Sequence, residues 1–81
     1  MPLYHFTTIE GGAATHGYST VLPDLLAARK LGSVFAGDLL RELQDQVFLT
    51  NLELQVTDHT GLMLLNLTIV AAECAAITRF G

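Results

Sequence analysis

Between Asp24 and Gln46 apolar residues recur with helical spacing. At about 100° per residue, Leu25, Ala28, Leu31, Gly32, Phe35, Ala36, Leu39, Leu40 and Leu43 share one broad face, with Lys30, Ser33, Gly37, Arg41 and Gln44 opposite. This pattern predicts a single long amphipathic helix over residues 24–46. Asp24 follows Pro23 and precedes the first periodic residue, where a carboxylate satisfies free first-turn N–H groups and the helix dipole favours its charge, so Asp24 is the expected N-cap. Gly32 and Gly37 each cost roughly 1 kcal/mol relative to alanine, which makes the helix dependent on tertiary packing.

On either side of the helix the period changes to two. Tyr4, Phe6 and Thr8 alternate with His5 and Thr7 until Glu10-Gly11-Gly12, which reads as a first strand. The small residues up to Gly17 read as a long loop, and the segment 18–22 before Pro23 as a second strand, giving a hairpin over residues 3–22. After the helix, Leu52, Leu54 and Val56 alternate with Glu53, Gln55 and Thr57. Asp58-His59-Thr60-Gly61 then turns the chain into an apolar run, completing a hairpin over residues 51–70. In that run Met63, Leu65, Leu67 and Ile69 fall on one face and Leu62, Leu64 and Val70 on the other. Residues 71–81 fit an extension of the last strand, a short helix or an unstructured tail.

The fold class implied is α+β: one domain over residues 1–81, arranged ββαββ, with a four-stranded, mainly antiparallel sheet and the helix packed on one face. Its expected core is Tyr4, Phe6, Leu31, Phe35, Leu39, Leu43, Leu54, Val56, Leu65 and Leu67. One helix covers one face only, so Leu62, Leu64 and Val70 are the expected contacts of a homo-oligomer, a dimer first of all. Composition points the same way, because 51% of the residues are hydrophobic in a domain so small that folding buries only about 60% of its chain surface.

Charge and motif content narrow the chemistry. With a net charge of −4 and four scattered cations, Arg29, Lys30, Arg41 and Arg79, nucleic acid is not an expected partner. The run from Gly61 to Ile77 is nearly uncharged, but Asn66, Thr68, Glu73 and its β-branched content favour a strand over a membrane span. The N-terminus lacks a basic region followed by an apolar run, so no secretory signal is expected, and the lone Cys74 suits a reducing cytoplasm. Cys74 lies in an apolar stretch without a basic neighbour and reads as an inert, buried residue rather than a nucleophile. His5, His16 and His59 show no metal-ligand spacing, so neither metal nor cofactor is expected; whether they converge is a question for the fold. The Gly11-Gly12 pair precedes a strand and has no following lysine, unlike a phosphate-binding loop. Asp38, Arg41, Glu42 and Asp45 have the spacing of a solvated helix face, and the Asn66-Leu67-Thr68 sequon lies inside an expected strand.

Leu22-Pro23-Asp24, Ala27-Ala28-Arg29, the Gly-Gly loop and the Val56-x-Asp58-x-x-Gly61 hairpin together resemble a family of short bacterial proteins, chiefly alphaproteobacterial, that carries a domain-of-unknown-function label (family 6894 type). The resemblance runs through about Val70 and implies a ββαββ domain. His5 stands where that family has an aromatic residue, Ser19 replaces a glycine, and His16 lies near an expected aspartate. With no activity attached to the family, the resemblance implies no catalytic residue.

Three functional readings are compatible with these features. The first is a small cytoplasmic homo-oligomeric interaction or structural module without catalysis. The second is a small-molecule-binding or sensor domain, its pocket at the subunit interface or between helix and sheet and lined by Phe35, Tyr4, Phe6 and Met63. An enzyme is third, because no nucleophile, base and oxyanion arrangement is visible in the spacing.

Overall fold

The computed structural model describes residues 1–72. Strands β1 (Leu3–Glu10) and β2 (Ala13–Val21) form the first hairpin, helix α1 (Leu25–Leu43) follows, and β3 (Leu52–Thr57) and β4 (Met63–Ile69) form the second. All neighbouring strands are antiparallel, in the order β2-β1-β3-β4, so the sheet joins its two hairpins through β1 and β3. This is the α+β, ββαββ architecture that the two periodicities predict.

The first hairpin is tighter than expected. Gly11 and Gly12 both have positive φ, 59° and 87°, and link the strands as a two-residue turn whose twist suits a hairpin. Residues 13–17, expected as loop, are thereby drawn into β2. An extra residue, Thr15, is absorbed as a bulge where the register passes from Thr8↔His16 to Ile9↔Ala14.

Helix α1 starts at the expected cap: Asp24 has extended backbone, and its Oδ1 accepts the Ala27 N–H at 2.9 Å. It ends earlier than Gln46. Gln44 takes φ 53°, its N–H donates to the Leu40 carbonyl, and the chain continues as a short 3₁₀ turn over Gln44–Phe48. The residues pressed onto the sheet are the small ones, Ala28, Gly32 and Ala36. A Cβ on Gly32 would lie 3.6 Å from Leu54 Cδ2 and 4.0 Å from Phe6 Cε2, so the backbone itself rests on the two central strands. The larger Leu31 and Phe35 splay to the sides, half-buried against a core of Tyr4, Phe6, Ala28, Leu54 and Val56. Leu39 and Leu43 are also half-buried. Leu67 projects beyond the helix and remains 41% exposed, so the core is narrower than the apolar pattern suggests.

The second hairpin corrects the expectation for Leu64. Val56 pairs with Leu65 but Thr57 pairs with Met63, which makes Leu64 an extra, bulged residue. A bulge breaks the alternation of side chains. Leu64 and Leu65 consequently both pack against the core, and Leu64 does not stand on the uncovered face. The register places His5, Thr7, Ser19, Glu53, Gln55, Asn66 and Thr68 on that face, where His5 Nδ1 and Ser19 Oγ are 2.6 Å apart and Asn66 Nδ2 donates to Glu53 Oε1 at 3.3 Å. The side of the sheet away from the helix is therefore mainly polar. Leu62 and Val70, 62% and 67% exposed, flank the two ends of β4. The tail beyond Ala72, with Glu73, Cys74 and Arg79, lies outside the described residues.

Candidate functional site

Because a single helix cannot cover four strands, the centre line of small residues leaves a groove on each side of α1. Toward β4, a cavity of about 250 Å³ is bounded by Arg29 and Ser33 of the helix and by Val56, Leu65 and Leu67 of the strands. Toward β2, a cavity of about 270 Å³ has Phe6, Thr8 and Leu54 as its floor, His16 and Tyr18 as one wall, and Phe35, Asp38, Leu39 and Glu42 on the helix side.

The β2-side cavity is built around three aromatic rings. Phe35 meets Phe6 edge to face at a centroid distance of 5.3 Å and Tyr18 at the same distance, while Phe6 and Tyr18 lie 6.4 Å apart. Thr8 is 5% exposed, the one buried polar residue among those described. Its hydroxyl has no hydrogen-bond partner there; the bond at this residue runs from Thr15 Oγ1 to the Thr8 carbonyl. No sealed side-chain oxygen or nitrogen lacks a partner among the described residues, so the Thr8 hydroxyl opens into the cavity that it lines.

The histidines do not converge. His5 belongs to the polar face, His16 to the helix side, with its Nδ1 3.2 Å from Thr15 Oγ1, and His59 to the β3–β4 turn. Among the described residues no three histidine, cysteine, aspartate or glutamate side chains gather as metal ligands. In the turn, Asp58 Oδ1 accepts the Thr60 N–H at 2.8 Å, the Thr60 hydroxyl at 2.6 Å and the Leu62 N–H at 3.0 Å. The Thr60 hydroxyl above all, opposed by slight desolvation and aided by those N–H groups and by His59, holds the Asp58 carboxyl below its ordinary value of 3.8. This aspartate is a turn residue.

Phe6 and Phe35 line a pocket between helix and sheet, as expected from their pattern, whereas Tyr4 is packed in the core and Met63 is exposed away from both cavities. His16 joins the pocket because β2 begins at Ala13, which the loop-like composition of residues 13–17 concealed, and Tyr18 joins it from the segment already expected to be a strand. Thr8 left a clearer trace, a polar residue at a core position of the Tyr4, Phe6, Thr8 alternation.

Fold and grooves together define a small α+β domain in which one helix lies across a four-stranded antiparallel ββαββ sheet. The chain belongs to the family described as Domain of unknown function (DUF6894), whose model matches residues 3–71. No curated protein and no solved structure matches it. No helix among the described residues is long and apolar enough to cross a membrane.

Proposed function

We propose that this domain is a non-catalytic, cytoplasmic protein-interaction module that works as a homodimer, two copies joining along β4. The observation that carries this reading is the outer strand itself. β4 is the last strand of the sheet among the described residues, and Met63–Ile69 contains neither charge nor proline, the usual devices that keep an edge from pairing. The other outer strand, β2, also lacks aspartate, glutamate, lysine, arginine and proline and has a bulge at Thr15 as β4 has at Leu64, but it carries Gly17 and fewer large apolar residues than β4.

An antiparallel register centred on Asn66 is self-complementary. Leu65 comes opposite the partner's Leu67, and Leu67 opposite the partner's Leu65, on the helix side, while the two Asn66 side chains meet on the polar side. The partner then closes the groove beside Arg29 and Ser33, whose helix side also carries the exposed Leu25 and Leu40 at about 100° per residue. Leu62 and Val70 extend the contact at the ends of β4. A stable interface buries about 1,200 Å² or more in total, so the flanking leucines and Val70 must add to the strand pair. A lone cysteine in the chain fits a reducing compartment.

Sedimentation equilibrium at low micromolar concentration tests the reading. The expected result is a dimer that Leu67→Asp converts to a folded monomer, because Leu67 is half outside the core. A monomeric wild-type chain, or a Leu67→Asp variant that stays dimeric, overturns it.

A further inference from the structure

The β2-side cavity lies across the helix from the proposed dimer edge and stands independently of it. We infer that this cavity is a binding site for a small monoaromatic or similarly compact apolar amine, protonated at neutral pH. Phe6, Tyr18 and Phe35 give it an aromatic lining, the surface against which both a ring and a cation find favourable contact. Asp38 and Glu42 stand one helical turn apart at its rim. Asp38 shares its charge with Arg41 at 3.4 Å, both side chains largely in water, and Glu42 has no ion-pair partner among the described residues. The lining thus pairs an apolar interior with a negative rim, in a chain whose net charge is −4.

The Thr8 hydroxyl is the second and separate observation. It opens into the cavity, where water can meet it when the site is empty, so an occupant that displaces this water gains by taking over the hydrogen bond. Valine has nearly the shape of threonine and would fill this floor position without presenting a hydroxyl to the cavity. The polar group is thus better explained by what enters the cavity than by packing. At about 270 Å³ the space falls just below the roughly 300–1,000 Å³ of sites for drug-sized ligands, which suits a single ring on a short chain.

The test uses three probes of one shape and different charge: 2-phenylethylamine, 2-phenylethanol and phenylacetate, titrated into the full chain and followed by amide and methyl NMR shifts. The amine is expected to bind tightest, with shifts centred on Thr8, Tyr18, Phe35 and Leu39, and phenylacetate weakest. Asp38→Asn combined with Glu42→Gln should weaken the amine by about threefold to tenfold and leave the neutral alcohol unchanged. Thr8→Val should weaken amine and alcohol alike while raising, or leaving unchanged, the stability of the free protein. Absence of shifts at these residues with any probe, equal binding of amine and phenylacetate, or a Thr8→Val variant that is destabilised yet binds normally would each overturn the inference.

Discussion

Two aspartates and one glycine show how far single residues govern this chain. Asp24 and Asp58 act through hydrogen bonds to backbone groups no more than four residues away, so both roles are legible from neighbouring letters alone. Replacing Asp24 with alanine is expected to cost about 0.5–2 kcal/mol in urea denaturation. The folded-state pKa of Asp58 is depressed, so its contribution is present above the unfolded-state value near 3.8 and is lost as pH falls through the lower folded value. Asp58→Asn should therefore flatten the acid limb of the stability curve below that pH, and a carboxyl carbon titration should place the group below its ordinary range. Gly37 lies opposite the apolar face of the helix, and the fold gives no reason for a glycine there: a Cβ would meet nothing within 4 Å. Gly37→Ala should accordingly stabilise the protein by about 0.5–1 kcal/mol, measured by the same denaturation.

The elements were legible where one face is buried and the other wet. β1 and β3 write their burial as a strict alternation, and helix and strand type follow from it. β2 is exposed along almost its whole length, so no burial pattern marks its first half as a strand, and Ala13 to Gly17 resemble a loop. The β4 bulge is likewise invisible, because an extra leucine in a leucine-rich run looks the same in either register. Helical spacing placed Phe35 and Leu39 at the middle of the apolar arc, but the sheet selected the small residues beside them for closest approach. Phe35→Ala is therefore expected to lose about 2–3 kcal/mol, less than the roughly 3–5 of a fully enclosed phenylalanine. In the turn between β1 and β2, Gly12→Ala should cost about 1–2 kcal/mol through its positive φ alone, since a Cβ there meets no neighbour.

For the whole molecule, the bulge relocates the consequences of charge. Leu64→Asp should unfold the domain by placing a carboxylate against the core, whereas Leu62→Asp should leave the circular dichroism spectrum unchanged. The strand order carries a further implication, for the path by which the chain folds. β1 with β2, and β3 with β4, are local hairpins closed by short turns, but the central seam joins His5 to Thr57 and Glu10 to Leu52, across more than half the chain. Closing that loop costs entropy before any seam contact repays it. The rate-limiting event is then the meeting of two preformed hairpins, with α1 as the tether that shortens the search. Substitutions at the Asp58 turn, in a hairpin already closed when the seam forms, should act mainly on the refolding rate in stopped-flow experiments, while those in the seam, such as Val56→Ala, should change refolding and unfolding rates together.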